Sequence, residues 1–118
     1  MTKETLAYEN IDREFKELYV SDIKKTVVAF ANTEGGLLYI GINDAGEVVG
    51  LPNVDDVMQQ TANTLKDSIA PDVMPFVKIR AVTREGKQII EVAVQNGTSR
   101  PYYIREKGLK PSGVSVSY

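Results

Sequence analysis

Three carboxylates could gather around a metal ion. Glu9 and Glu14 lie in Glu9-Asn10-Ile11-Asp12-Arg13-Glu14-Phe15-Lys16, and Asp44 lies in Asn43-Asp44-Ala45-Gly46. Their oxygens suit a hard divalent cation such as Mg2+ or Mn2+. If the first stretch is extended, Glu14 and Lys16 share a face while Phe15 turns to the core. A bend between Glu9 and Glu14 would bring both acids to one point. An ion held there would activate water and stabilise a phosphodiester transition state, with Lys16 steadying the phosphate. Exposed glutamates near a chain start and an aspartate in a turn need no metal, so spacing leaves both readings open.

A second constellation is Arg100-Pro101-Tyr102-Tyr103-Ile104-Arg105, followed by Lys107 and Lys110. Guanidinium and ammonium groups meet phosphates, and tyrosine rings offer faces for unpaired bases. Neighbours in a strand point to opposite sides, so one of the two tyrosines is expected in the core. The glycine pair Gly35-Gly36 is not a phosphate loop. It closes a helix where such a loop would open one, and no lysine-serine/threonine pair follows.

The residue inventory narrows the chemistry. There is no cysteine and no histidine, which removes disulfides, thiolate or imidazole metal sites, and histidine-based nucleophile triads. Any acid–base or metal chemistry must use carboxylates, lysine or tyrosine. The start lacks a signal-peptide pattern and no run reaches membrane-spanning length, so a cytoplasmic protein without a membrane partner is expected. The net charge of −2 hides an asymmetry. Through Asp72 there are 6 basic residues against 13 acidic; from Val73 there are 8 against 3. The basic half suits phosphate contact, and suits equally well a solvated strand surface.

The positioning elements follow from periodicity. Ile11–Lys16 reads as a short extended segment. Ser21 offers an N-cap to a helix whose inner face is Ile23, Val27, Phe30 and Ala31, ended by Asn32–Gly36. Leu37–Ile42 reads as a strand, Asn43–Gly46 as a turn, and Glu47–Val49 as the returning strand. A second helix is capped at Asn53 or Asp55. Its stripe is Val54, Val57, Met58, Thr61, Leu65 and Ile69, with Pro71 beyond. Phe76–Val82 puts Val77, Ile79 and Ala81 on one side and Lys78 and Arg80 on the other; Arg84–Lys87 turns the chain into Gln88–Val94. A short strand over Thr98–Arg105, with basic residues at both ends, and an alternating start at Val114–Tyr118 close the reading. The expectation is one α+β domain over residues 1–118, with two main helices and a mixed or antiparallel sheet of about five to six strands. Its interrupted final pattern suggests a piece of a longer protein.

In order, Glu14-Phe15-Lys16-Glu17, Ala29-Phe30-Ala31-Asn32-Thr33-Glu34-Gly35-Gly36, Leu38-Tyr39-Ile40-Gly41-Ile42-Asn43-Asp44 and Gly46-Glu47-Val48-Val49-Gly50 resemble the Schlafen AlbA-type domain, a family assigned to DNA binding by prediction. Ile69-Ala70-Pro71, Gly86-Lys87 and Arg100-Pro101-Tyr102-Tyr103 also fall where that family has them, and the likeness covers residues 9–117. It implies an α+β fold and, in bacterial members, the N-terminal module of transcriptional regulators. In animal relatives it implies RNA cleavage by a carboxylate triad between two copies of the domain. By position that triad falls on Glu9, Glu14 and Asp44. This chain carries one copy, which a homodimer would double. Three functions are therefore carried forward: a DNA- or RNA-binding module using Lys16, Arg100, Tyr102, Tyr103, Arg105, Lys107 and Lys110; a metal-dependent ribonuclease; and a dimerisation or sensor module.

Overall fold

The computed structural model describes residues 12–105. A four-stranded sheet forms from β1 (Asp12–Lys16), β2 (Gly36–Ile40), β4 (Val77–Arg84) and β5 (Lys87–Val94), in the order β1-β2-β5-β4. β1 runs parallel to β2, and the other pairs are antiparallel. A parallel pair needs a crossover, and α1 (Ile23–Ala31) supplies it. The longer α2 (Val54–Ser68) precedes β3 (Ile69–Ala70), which pairs with β6 (Tyr103–Ile104) in a separate two-stranded ribbon. The fold is thus α+β, with two α-helices, one short 3-10 turn (Met74–Phe76) and six strands among the described residues.

Alternation along the strands divides the sheet into two faces. Leu38, Ile40, Ile90, Val92 and Val94 point to the helices and meet Ile23, Val27, Phe30 and Ala31 of α1 and Val57 and Leu65 of α2 in the main core. Phe15, Leu37, Tyr39, Ile89 and Val82 lie on the other face, where Ile42 and Val48 join them in a smaller cluster. Burial of the first set supplies most of the apolar driving force, at roughly 25 cal/mol per Å².

Three local expectations change. Ser21 does not cap α1: Asp22 holds the N-cap position without a side-chain capping bond. The helix is entered instead through a backbone turn in which Ile23 donates to the Val20 carbonyl and Lys24 to that of Ser21. The hairpin expected over Leu37–Val49 shrinks to one bridge, Ile42 to Val48. Both edges of β2 are already taken, by β1 and β5, so the returning segment can pair only beyond Ile40, where Asn43 Oδ1 closes the turn by accepting from the backbone of Ala45 and Glu47. Ile69 is buried as expected, but as a strand residue beyond α2.

Candidate functional site

The segment Gly97–Arg105 is fastened across the ends of both helices. Gly97 N–H donates to the carbonyl of Ala31, the last residue of α1. Asn32, just beyond, treats Tyr102 as a strand neighbour: its Nδ2 donates to the Tyr102 carbonyl at 3.0 Å, and its Oδ1 accepts from the Tyr102 N–H at 2.7 Å. At the far end, Arg105 donates from its backbone to the Ser68 carbonyl and from its guanidinium to that of Asp67, at the close of α2. Cations are favoured at a helix C-terminus, where carbonyls lack partners.

This fastening separates the two tyrosines. Tyr102 is 2% exposed, set edge-on to Phe76, with its hydroxyl accepting from Ser99 N–H. Its ring belongs to the core and offers no face to a base, which corrects its inclusion among nucleic-acid contacts. Tyr103 is 58% exposed. Arg100 is exposed and borders an open recess with Asn32, Thr98 and Pro101.

The acids and bases of the sequence reading fall at different places. By register Glu14 and Lys16 lie opposite Leu38 and Ile40 on the helix-bearing side, with Lys16 Nζ 3.8 Å from the Glu14 carboxylate. Asp44 follows β2 in the turn beyond Ile40, and Gly46 of that turn comes up to the Phe15 ring, on the other side of β1. Lys16 therefore sits at the Ile40 end of the sheet, whereas the Gly97–Tyr102 loop joins α1 near the Gly36 end. Glu9, Lys107 and Lys110 lie outside the described residues. Among the described residues no group of three acidic side chains stands together as a metal site.

The other face, helix-free among the described residues, holds a charged network that the sequence reading did not single out. Glu91 on β5 is directly opposite Arg80 on β4. Its Oε1 accepts from Arg80 Nε at 3.1 Å and Nη2 at 2.6 Å, and its Oε2 accepts from the Tyr39 hydroxyl at 2.9 Å. The Arg84 guanidinium lies 5.4 Å from the centre of the Tyr39 ring, a cation–π distance. Burial by itself would raise the Glu91 pKa. Hydrogen bonds from Arg80 and Tyr39 and the charges of Arg80 and Arg84 outweigh burial and hold it below its ordinary value of 4.5. Tyr39 is pushed up, first by burial and then by the Glu91 carboxylate. The signal lay in the outward placing of Lys78 and Arg80 on β4; the partner carboxylate gave none.

A depressed carboxylate pKa makes stability depend on pH in a known direction. Glu91 stabilises the fold above its unfolded pKa, and this contribution disappears as pH falls through the lower folded value. Thermal melts from pH 7 to 3 are expected to show a shallower acid decline for Glu91→Gln than for the parent. An identical decline would mean that Glu91 titrates alike in both states.

Among the described residues, two helices on one side of a mixed sheet, with a charged network on the other, define an α+β domain. The chain belongs to the Schlafen, AlbA_2 family, whose model matches residues 3–116. Among solved structures it is similar to the N-terminal domain of a Nitrosomonas europaea protein named for its relation to RecG, an ATP-dependent DNA helicase. That match has 26% identity and a TM-score of 0.64, and covers 91% of this chain and 79% of the other. It also shares its fold with the DIP2311 protein of Corynebacterium diphtheriae, at 20% identity and a TM-score of 0.57, over 81% of this chain and 20% of that one. No curated protein matches the sequence. No helix among the described residues is long and apolar enough to cross a membrane.

Proposed function

We propose that the domain is a nucleic-acid-binding module of a cytoplasmic transcriptional regulator, contacting the phosphate backbone with little reading of sequence. The observation that carries this reading is Tyr103, 58% exposed between Arg100 and Arg105 on a segment secured to both helices. An exposed aromatic ring on a secured backbone, with an arginine before it and another after it in the chain, suits an unpaired base and its flanking phosphates. The excess of basic residues after Val73 supports it. So does family membership, together with the likeness to a domain from a protein named for a DNA helicase.

Binding of a fluorescent single-stranded oligonucleotide should weaken linearly in log–log terms as salt rises, by about 0.7 per phosphate contacted. Tyr103→Ala is expected to cost about 1–3 kcal/mol of affinity, the worth of one stacked base. Affinity that stays flat between low and moderate salt would overturn the reading.

A further inference from the structure

Among the described residues β4 is an edge strand of the sheet, and Lys78, Arg80 and Arg84 project from its helix-free side. Lys87 on β5 stands opposite Arg84 on the same side. Across these two strands the face therefore carries four cations against the single carboxylate of Glu91. Charge on an edge strand commonly serves to prevent pairing with another chain. That role needs charge, and it does not need the charge to be held still.

Here the arginines are held. Glu91 is 12% exposed at its side chain while its partner Arg80 is 64% exposed, so the carboxylate is a sunken support and the guanidinium stands above it. Both carboxylate oxygens are engaged, one by Arg80 and the other by Tyr39. Arg80 spends two of its N–H groups on Glu91, and a guanidinium has five. Tyr39, kept in place by Glu91, in turn seats Arg84 over its ring. A planar fork fixed before binding loses less freedom when it meets an anion, and its geometry matches phosphate.

We propose that Lys78, Arg80 and Arg84 form a second phosphate-contacting surface on the helix-free face of β4, with Glu91 as the positioning residue that presents the two arginines to a nucleic-acid backbone. This rests on the nucleic-acid reading above and adds a surface to it. Glu91 touches no phosphate in this arrangement. It acts through Arg80 directly, and through Tyr39 on Arg84.

The test is oligonucleotide binding by the full chain, single-stranded and duplex, from 50 to 300 mM salt, roughly the range over which backbone contacts are lost. The Lys78→Gln/Arg80→Gln/Arg84→Gln variant is expected to lower the log–log slope on duplex by about 2–3 and to bind at least about ten-fold more weakly at low salt. Glu91→Gln separates positioning from bulk charge. It makes the chain more positive, so a diffuse field would bind tighter, whereas a positioned surface binds several-fold weaker. Arg80→Lys keeps the charge, removes the fork, and is expected to weaken binding similarly. Circular dichroism checks that each variant is folded.

Parent-like affinity and slope in the triple variant, with salt-dependent binding lost instead in Arg100→Gln/Arg105→Gln, would overturn this surface and leave the first reading standing. A parent chain that binds no oligonucleotide at low salt would overturn both. Capture by phosphatidylserine vesicles without oligonucleotide binding would do the same and reassign the face to lipid. Tighter binding by Glu91→Gln would overturn the positioning role.

Discussion

Tyr102→Ala is expected to destabilise the domain by about 3–5 kcal/mol, the usual cost of deleting a large buried aromatic. The ring does more than fill space. It lies so close to Gly97 that a Cβ there would overlap it, and it meets Phe76 edge-on. The loop from Gly97 to Tyr102 is thus wrapped around its own tyrosine, with the Ser99 N–H donating to the hydroxyl. Removing the ring leaves a cavity and also releases the loop that carries Arg100 and leads into Tyr103. Urea denaturation should give the energy, and oligonucleotide titration at a temperature where the variant is still folded should show weaker binding. Tyr102→Phe isolates the hydroxyl and is expected to cost only about 0.5–1.5 kcal/mol. Equal losses for the two variants would mean that the ring contributes little and the hydrogen bond nearly everything.

The second large effect is expected at the turn from α1 into β2. Gly35 has φ +90, a conformation that side-chain-bearing residues rarely adopt, and a Cβ there would stand 2.5 Å from the Val94 carbonyl oxygen. The neighbour is backbone of a central strand, which cannot swing aside as a flexible side chain would. Gly35→Ala therefore combines left-handed strain with a displaced β5, and a loss of about 1–3 kcal/mol from the strain alone is expected. Chemical denaturation measures it. The contrast is Gly86→Ala, where φ is +75 but the Cβ would meet nothing within 4 Å. That variant should lose only the conformational part. If both glycine variants fall by the same amount, crowding against Val94 is not felt.

The parts of the fold that could be read from the residues were those set by local rules. β4 and β5 alternate so regularly that their pairing and turn were evident, and Arg84 does face Lys87 across that turn. The inner face of α1 followed from helical spacing, and its residues Ile23, Val27, Phe30 and Ala31 are all buried. What stayed hidden depended on partners distant in the chain. Asn32 looked like a helix stop, and nothing local told of its two bonds to Tyr102, 70 residues away. Of two adjacent tyrosines, alternation said that one turns inward without saying which; Asn32 and Gly97 decide that. Glu91 gave no signal of its own, because its meaning comes from Tyr39 on the next strand and Arg80 on the other side. Leu37–Val49 misled because its strand-like composition was real, while β1 and β5, distant in the chain, take both edges of β2 and leave the returning segment only the bridge beyond Ile40.

The parallel register of β1 on β2 sets Glu14 opposite Leu38 and Phe15 opposite Tyr39, so residues joined by one peptide bond look out on different surroundings. A four-stranded sheet of this kind works as a partition. If the β4 cations meet phosphate as proposed, substitutions among them alter what the domain holds while the helix-covered side keeps its packing, because the side chains there lie beyond the wall. On the proposed reading relatives diverge in ligand preference through residues of one parity, and Arg80, braced on Glu91, is the position where that divergence also touches thermal tolerance.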